Sequence, residues 1–270
     1  MKLYISIDME GISGIATVKQ TEPGSKEYEK GRLLMIKELN NYINAAFKYG
    51  ASEILVNDAH YYMDNILRSK LDQRVDLISG DNKKLSMMEG ICEEFDTAFF
   101  IGYHAGAGGE RAVIDHTYTT NIYQVKINGL KVNEAILNAY LASYYGVPVS
   151  LISGDQIFIK ETKEVLKDAA GVIVKEARGR TSARLYGEKK VQGKIDNGVK
   201  KALCSLDKIN LLSEEEYLTE IEFNNSAMAD VAERIPGIKR NDGRKIIYQC
   251  SNMLETYKVF LLAVNLSYTI

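Results

Sequence analysis

Apolar residues in this chain fall into short continuous runs and longer runs of helical period, and the two kinds alternate. Residues 3–7 form the first continuous run and predict a buried opening strand. After a polar, Gly-containing stretch, residues 26–49 carry Leu33, Leu34, Ile36, Leu39, Ile43, Ala46 and Phe47 at helical spacing, and Gly50 predicts the helix stop. Short apolar runs recur at 53–56, 75–78, 98–101, 149–152 and 172–174, mostly separated by segments of helical character. Strands that are apolar throughout need cover on both faces, and intervening helices provide the crossovers of a parallel sheet. The expected fold class is therefore α/β, with a largely parallel, helix-covered sheet.

A different pattern sets in after residue 120. Residues 122–127 followed by Asn128-Gly129 predict a hairpin, because Asn-Gly accepts the left-handed dihedrals of a tight turn. A helix over 132–145 should follow, apolar through Ile136, Leu137, Tyr140, Leu141 and Tyr144, with Glu134 in its first turn. The last third predicts a strand at 217–223, a helix at 227–234 stopped by Pro236-Gly237, a strand at 245–249 and a closing helix at 253–266. With no repeat, low-complexity segment or flexible linker, residues 1–270 read as a single catalytic unit of two intimate lobes, the second smaller and packed on the first.

Composition narrows the functional classes. The chain has 270 residues, 46% hydrophobic and 26% charged, enough to bury a substantial core. Its 34 basic and 36 acidic residues are spread along the sequence, a balance that argues against nucleic acid as a partner. Cys92, Cys204 and Cys250 are odd in number and far apart, suggesting neither a disulfide framework nor a thiolate metal site, and they are expected to pack as small apolar residues. Acidic Asp8 and Glu10 interrupt the N-terminal segment before a signal-like apolar region builds up, and no later run reaches membrane-spanning length, so a cytoplasmic protein without a membrane partner is expected.

The candidate chemistry lies just past the predicted strand ends. Asp8 and Glu10 follow the first strand two apart, which would place both carboxylates on one face if the extended conformation persisted. Asp58 and His60 repeat the spacing after the next strand, and His104 follows the run ending at Ile101. In an open parallel sheet such carboxyl ends share one edge, where ligands bind. The chain has only 3 histidines, His60, His104 and His116, and all fall in or near these segments. Carboxylate oxygens with imidazole nitrogens suit zinc and related divalent ions, and two ions sharing one carboxylate need about this many ligands. Singly, each residue has an ordinary structural use: Asp8 or Asp58 as a cap, Glu10 as a loop charge, a histidine as a hydrogen-bonded core residue, Glu134 as a complement to the helix dipole. Joint placement makes Asp8, Glu10, His60, His104 and Glu134 candidate metal ligands.

Ser6-Ile7-Asp8-Met9-Glu10-Gly11, Asn57-Asp58-Ala59-His60, Gly102-Tyr103-His104-Ala105, His116 and Asn133-Glu134 together resemble the DppA-type D-aminopeptidase family of zinc metallopeptidases. The resemblance runs nearly the whole length, through Tyr28-Glu29-Lys30-Gly31-Arg32-Leu33, Leu77-Ile78-Ser79-Gly80-Asp81, Gly146-Val147-Pro148-Val149 and Met253-Leu254-Glu255. It implies an aminopeptidase that releases D-amino acids from short peptides, assembled as a homo-oligomer, in the family a ring-stacked decamer. It further implies two zinc ions per subunit: Asp8 bridging, Glu10 and His60 completing one site, His104 and Glu134 the other, with His116 catalytic. Asp58 matches no family ligand and is expected to orient His60.

The implied chemistry is attack by a metal-bound hydroxide, with His116 either carrying a proton or stabilising the oxyanion as imidazolium. The chain departs from the family at Ala105-Gly106-Ala107-Gly108-Gly109-Glu110-Arg111, a more Gly-rich loop whose stretch 106–109 serves either as a source of backbone donors to substrate or simply as a flexible segment. Two alternatives stand beside the aminopeptidase: a two-metal hydrolase of another amide or of L-peptides, and a metal-binding protein without turnover.

Overall fold

The computed structural model describes residues 1–270. In chain order the strands are β1 (Lys2–Ile7), β2 (Glu53–Asp58), β3 (Asp76–Ile78), β4 (Thr97–Ile101), β5 (Ile122–Ile127), β6 (Leu130–Lys131), β7 (Val149–Asp155), β8 (Ala170–Gly179), β9 (Ser182–Leu185), β10 (Tyr217–Phe223), β11 (Lys239–Asp242) and β12 (Lys245–Cys250). The helices are α1 (Lys26–Lys48), α2 (Glu134–Tyr144), α3 (Gln156–Thr162), α4 (Glu188–Leu203), α5 (Ser226–Ala232) and α6 (Met253–Ser267). A 7-stranded sheet in the order β3-β2-β1-β4-β7-β8-β9 is parallel except for β9. A 5-stranded antiparallel sheet, β11-β12-β10-β5-β6, comes from the later part of the chain.

The apolar runs behave as their lack of alternation requires. Leu3, Tyr4, Ile5 and Ile7 are fully buried, with Leu3, Ile5 and Ile7 in a core under α1 and α4 and Tyr4 on the opposite side of the sheet. That opposite core is shared: Tyr4, Phe100 and Ile152 of the parallel sheet join Ile122, Ile221 and Ile246 of the antiparallel one, with α2 and α6 contributing Leu137, Leu141, Tyr257 and Phe260. One continuous apolar cluster therefore ties the two sheets together.

Local signals set the element ends. The Ser25 hydroxyl accepts from the Glu27 amide at the start of α1, and Glu27 and Glu29 complement the helix dipole there. At its end Gly50 takes φ +109°, while the Ala51 and Gly50 amides reach back to Ala46 and Phe47, the paired closure of a Schellman motif. The Asn128-Gly129 turn has φ of 49° and 79°, both positive as a type I′ hairpin demands, although β6 is only two residues long. Cys92 and Cys250 are partly buried, but Cys204 is exposed at the end of α4, contrary to the packing expected of it. No helix is long and apolar enough to cross a membrane.

β1 lies between β2 and β4, with Ile7 opposite Asp58 on one side and Ile101 on the other. Three neighbouring strands thus end at one level, and the chain leaving each carries candidate ligands.

Candidate metal centre

Asp8 is the first residue past β1, and the extended conformation stops there: the Ile12 amide turns back to the Met9 carbonyl, so a turn rather than a continued strand brings Asp8 and Glu10 together. Two glycines allow that turn to lie against the one following β4. The Gly11 amide donates to the Gly102 carbonyl at 2.7 Å, and Gly102 takes φ +70°. Buried Lys175 on β8 supports the turn from beneath, donating to the carbonyls of Glu10, Ile12 (3.0 Å) and Ile15 (2.7 Å).

The five candidate ligands converge, and all are at least 95% buried. His60 Nδ1 lies 3.1 Å from Asp8 Oδ1 and 3.1 Å from Glu10 Oε2. His104 Nε2 lies 3.4 Å from Asp8 Oδ2 and 3.5 Å from Glu134 Oε1. The two oxygens of Asp8 therefore face different imidazoles. Ligand atoms of Asp8, Glu10 and His104 fall within 4.8 Å of one another, as do those of His104, His116 and Glu134.

The outer nitrogens fix both tautomers. His60 Nε2 meets the Thr21 carbonyl at 2.8 Å and His104 Nδ1 the Ala105 carbonyl at 3.0 Å. A carbonyl can only accept, so each of these nitrogens carries a proton, and a neutral ring then turns its lone pair toward the carboxylates. His104 Nε2 and Glu10 Oε2 are buried with no hydrogen-bond partner. Buried polar atoms are rarely left so unless an ion or water is meant to meet them. Three buried carboxylates facing two imidazole lone pairs, with no thiolate nearby, form a donor set that fits zinc.

The electrostatics agree. Burial raises Glu134 to about 7, with Asp8 adding to the effect against the pull of His104. Burial by itself would lower His104, but Glu134 and Asp8 outweigh it and lift the imidazole to about 10. Against the same opposing burial, Glu10 and Asp8 raise His60 well above the ordinary histidine range. For Asp8, too, the two imidazoles overcome burial, and its carboxyl is lowered. Among the chain's own groups, then, the cluster binds protons avidly, as expected of negative charge gathered for a cation.

Glu134 opens α2, whose N-cap Asn133 accepts from the Ile136 amide, and its Oε1 takes the Tyr118 amide at 2.5 Å. His116 stacks on His104 with centroids 4.1 Å apart, donates from Nδ1 to the Ile114 carbonyl at 2.8 Å, and turns Nε2 to within 3.9 Å of Glu134. Burial, reinforced by His104, lowers His116 to about 4, so its ring is neutral at physiological pH. Flanking it, Ile114 and Tyr118 hold φ of 48° and 62°, a left-handed conformation costing about 1–3 kcal/mol each that surrounding structure must enforce.

Two expectations are revised. Asp58 meets His60 through its backbone and not its ring: its carboxylate accepts from the His60 amide at 3.4 Å, the Asn65 amide and side chain and the Ile66 amide, bracing the loop, while the Thr21 carbonyl orients the imidazole. The stretch 106–109 offers no free amides either, since those of Gly106, Ala107, Gly108 and Gly109 go to Glu161, Thr117, Asp115 and the Gly106 carbonyl. The orienting carbonyls of Thr21, Ala105 and Ile114 carry no side-chain signal that a sequence could display.

Asp8, Glu10, His60, His116 and Glu134 line a cavity of about 810 Å³, walled further by Tyr118, Tyr268 and other residues from several elements. A family model described as D-aminopeptidase matches residues 1–262. A D-aminopeptidase of Bacillus subtilis (strain 168) is 37% identical over 269 residues, covering 99% of this chain and 98% of its own. A solved structure, the Zn-dependent D-aminopeptidase DppA from Bacillus subtilis, a self-compartmentalizing protease, superposes with a TM-score of 0.97 at 37% identity, over 100% of this chain and 99% of that one.

Proposed function

This chain belongs to the D-aminopeptidase family, and on that premise we propose that it is a zinc-dependent aminopeptidase releasing D-amino acids from the N-terminus of short peptides. The observation that carries the metal assignment is the pair of imidazoles tied from behind by the Thr21 and Ala105 carbonyls, each turning its inner nitrogen toward buried carboxylates. Asp8 would be the carboxylate shared by two ions, because its two oxygens face His60 and His104 separately. Glu10 and His60 would complete one site, and His104 and Glu134 the other.

Zinc, when bound, polarises the scissile carbonyl and makes water acidic enough to attack near neutral pH. The chain's own groups position the substrate and handle its proton. Acidic residues Glu22 and Asp81 join the ligand carboxylates along the cavity and favour a substrate's ammonium end. His116, neutral and pinned through Nδ1, presents Nε2 to accept a proton and return it to the departing amine. That neutral state favours proton transfer over the imidazolium role. The Tyr118 amide on Glu134 holds the carboxylate beside that nitrogen while the proton moves.

The proposal extends to one catalytic unit per chain, working in the cytoplasm as a homodecamer. The self-compartmentalizing relative supports an assembly, and light scattering measures its size. The metal centre itself is tested by elemental analysis of the purified protein and of His60→Ala and His104→Ala. About two zinc per chain in the parent and a loss in each variant are expected. Unchanged metal in the variants, or activity indifferent to a chelator, refutes the assignment.

A further inference from the structure

We propose that Arg180 recognises the C-terminal carboxylate of the substrate, so that the site selects short peptides with a free acid end over those ending in an amide. This rests on the aminopeptidase reading and deepens it.

Arg180 and Lys83 are the two lysine or arginine side chains lining the cavity that contains Asp8, Glu10 and Glu134. They are not equivalent. Lys83 is largely committed, its ammonium donating to Asn57 Oδ1 at 2.8 Å and to the Asp58 carbonyl at 2.6 Å. Arg180 sits in the turn between β8 and β9, and its carbonyl accepts the Ile114 amide at 2.9 Å. Its Nε lies 3.1 Å from Asp115 Oδ1, and Nη2 makes a long contact of 3.4 Å with the Asp115 carbonyl. Asp115 is held in turn by the Gly108 amide on its other oxygen.

One edge of the guanidinium is thereby fixed, beside the residue preceding His116, while Nη1 has no partner and the side chain remains 49% exposed. A planar cation anchored at one edge and open at the other can form the paired hydrogen bonds that match a carboxylate. The remaining charge around the cavity is mostly acidic, leaving an entering anion few other places to bind. A peptide short enough to fit in about 810 Å³ brings both its ends into that one space, its amine toward the acidic groups and its carboxylate within the same walls as Arg180.

The competing role for Arg180 is to pin the His116 loop, and the ratio of two substrates separates the roles. The zinc-loaded parent, Arg180→Met and Arg180→Lys are assayed on a tripeptide of D-alanine and on the same tripeptide as its C-terminal amide. The parent should favour the free acid by about tenfold or more in kcat/KM, chiefly through KM. Arg180→Met should bring the acid-to-amide ratio close to one, and Arg180→Lys should retain part of the preference. A parent that treats acid and amide alike overturns the proposal, even if Arg180→Met proves inactive. So does a ratio unchanged in Arg180→Met while both substrates slow together, the behaviour of an arginine that only pins the loop. If the parent cleaves neither substrate, the aminopeptidase reading fails and carries this one with it.

Discussion

Replacing Gly11 by alanine should separate the two ligand-bearing turns without removing any ligand. A Cβ at Gly11 would lie 2.5 Å from the Gly102 carbonyl carbon and 2.6 Å from its oxygen, and closer still to the Tyr103 carbonyl oxygen. All of these are backbone atoms, so no side chain can swing aside. Carbon atoms in contact sit about 3.5–4.0 Å apart, so the turns must part by roughly 1 Å. Zinc–ligand distances tolerate only about 0.2 Å, and disturbing a ligand's support typically costs roughly 10- to 100-fold in metal affinity. The zinc affinity of Gly11→Ala should fall by at least that much. Overpacking of this kind also costs about 1–3 kcal/mol, and at roughly 2–4 °C per kcal/mol for a chain of this size the melting temperature should drop by several degrees. Competition against a fluorescent chelator gives the affinity, and calorimetry of the apo-protein separates the structural loss from the metal loss. A Gly11→Ala protein with parental zinc affinity and melting temperature would show that the close approach of the turns does not hold the centre together.

Other perturbations probe different links. His116→Ala should keep its zinc and its fold but lose about 10²- to 10⁴-fold in kcat, and full turnover would remove the proton-transfer role. His104, lifted to about 10, and His60, raised well above its usual range, hold protons that zinc must displace. Calorimetry in buffers of different ionisation enthalpy should therefore detect proton release on zinc binding, with affinity falling as pH falls; binding without proton release contradicts the electrostatics. Gly193 lies exposed within α4, with nothing within 4 Å of an added Cβ, so Gly193→Ala should stabilise the fold by about 0.5–1 kcal/mol in denaturant titrations. A loss of stability there would mean that α4 does not run through residue 193.

The elements readable from the chain are those whose side chains must pack. β1, β4 and β7 are mostly apolar and almost wholly buried because both their faces are covered, and α1 announces itself through helical spacing ended by Gly50. β9, with the sequence SARL, and β11, with KRND, are mostly exposed strands whose order comes from hydrogen bonding to neighbours, which leaves no hydrophobic alternation to read. The site divides in the same way. Ligand candidates could be chosen by residue type and position past strand ends, and the structure brings Asp8, Glu10, His60, His104 and Glu134 together. What orients them is mainly backbone: the carbonyls of Thr21, Ala105 and Ile114, and the amides of Tyr118 and Gly11. Lys175 and Arg180 are ordinary cations in sequence, and only the fold sets one beneath the Glu10 turn and the other on the cavity wall.

The central claim is that this centre cleaves N-terminal amides in a zinc-dependent manner with a preference for D-residues. Its most direct test is turnover of matched D- and L-alanyl peptides by apo-protein titrated with zinc. Activity that rises with zinc, saturates near two ions per chain and favours the D-peptide is the predicted result. Equal rates for the two enantiomers would refute the D-preference, and turnover independent of zinc would contradict the account at its root.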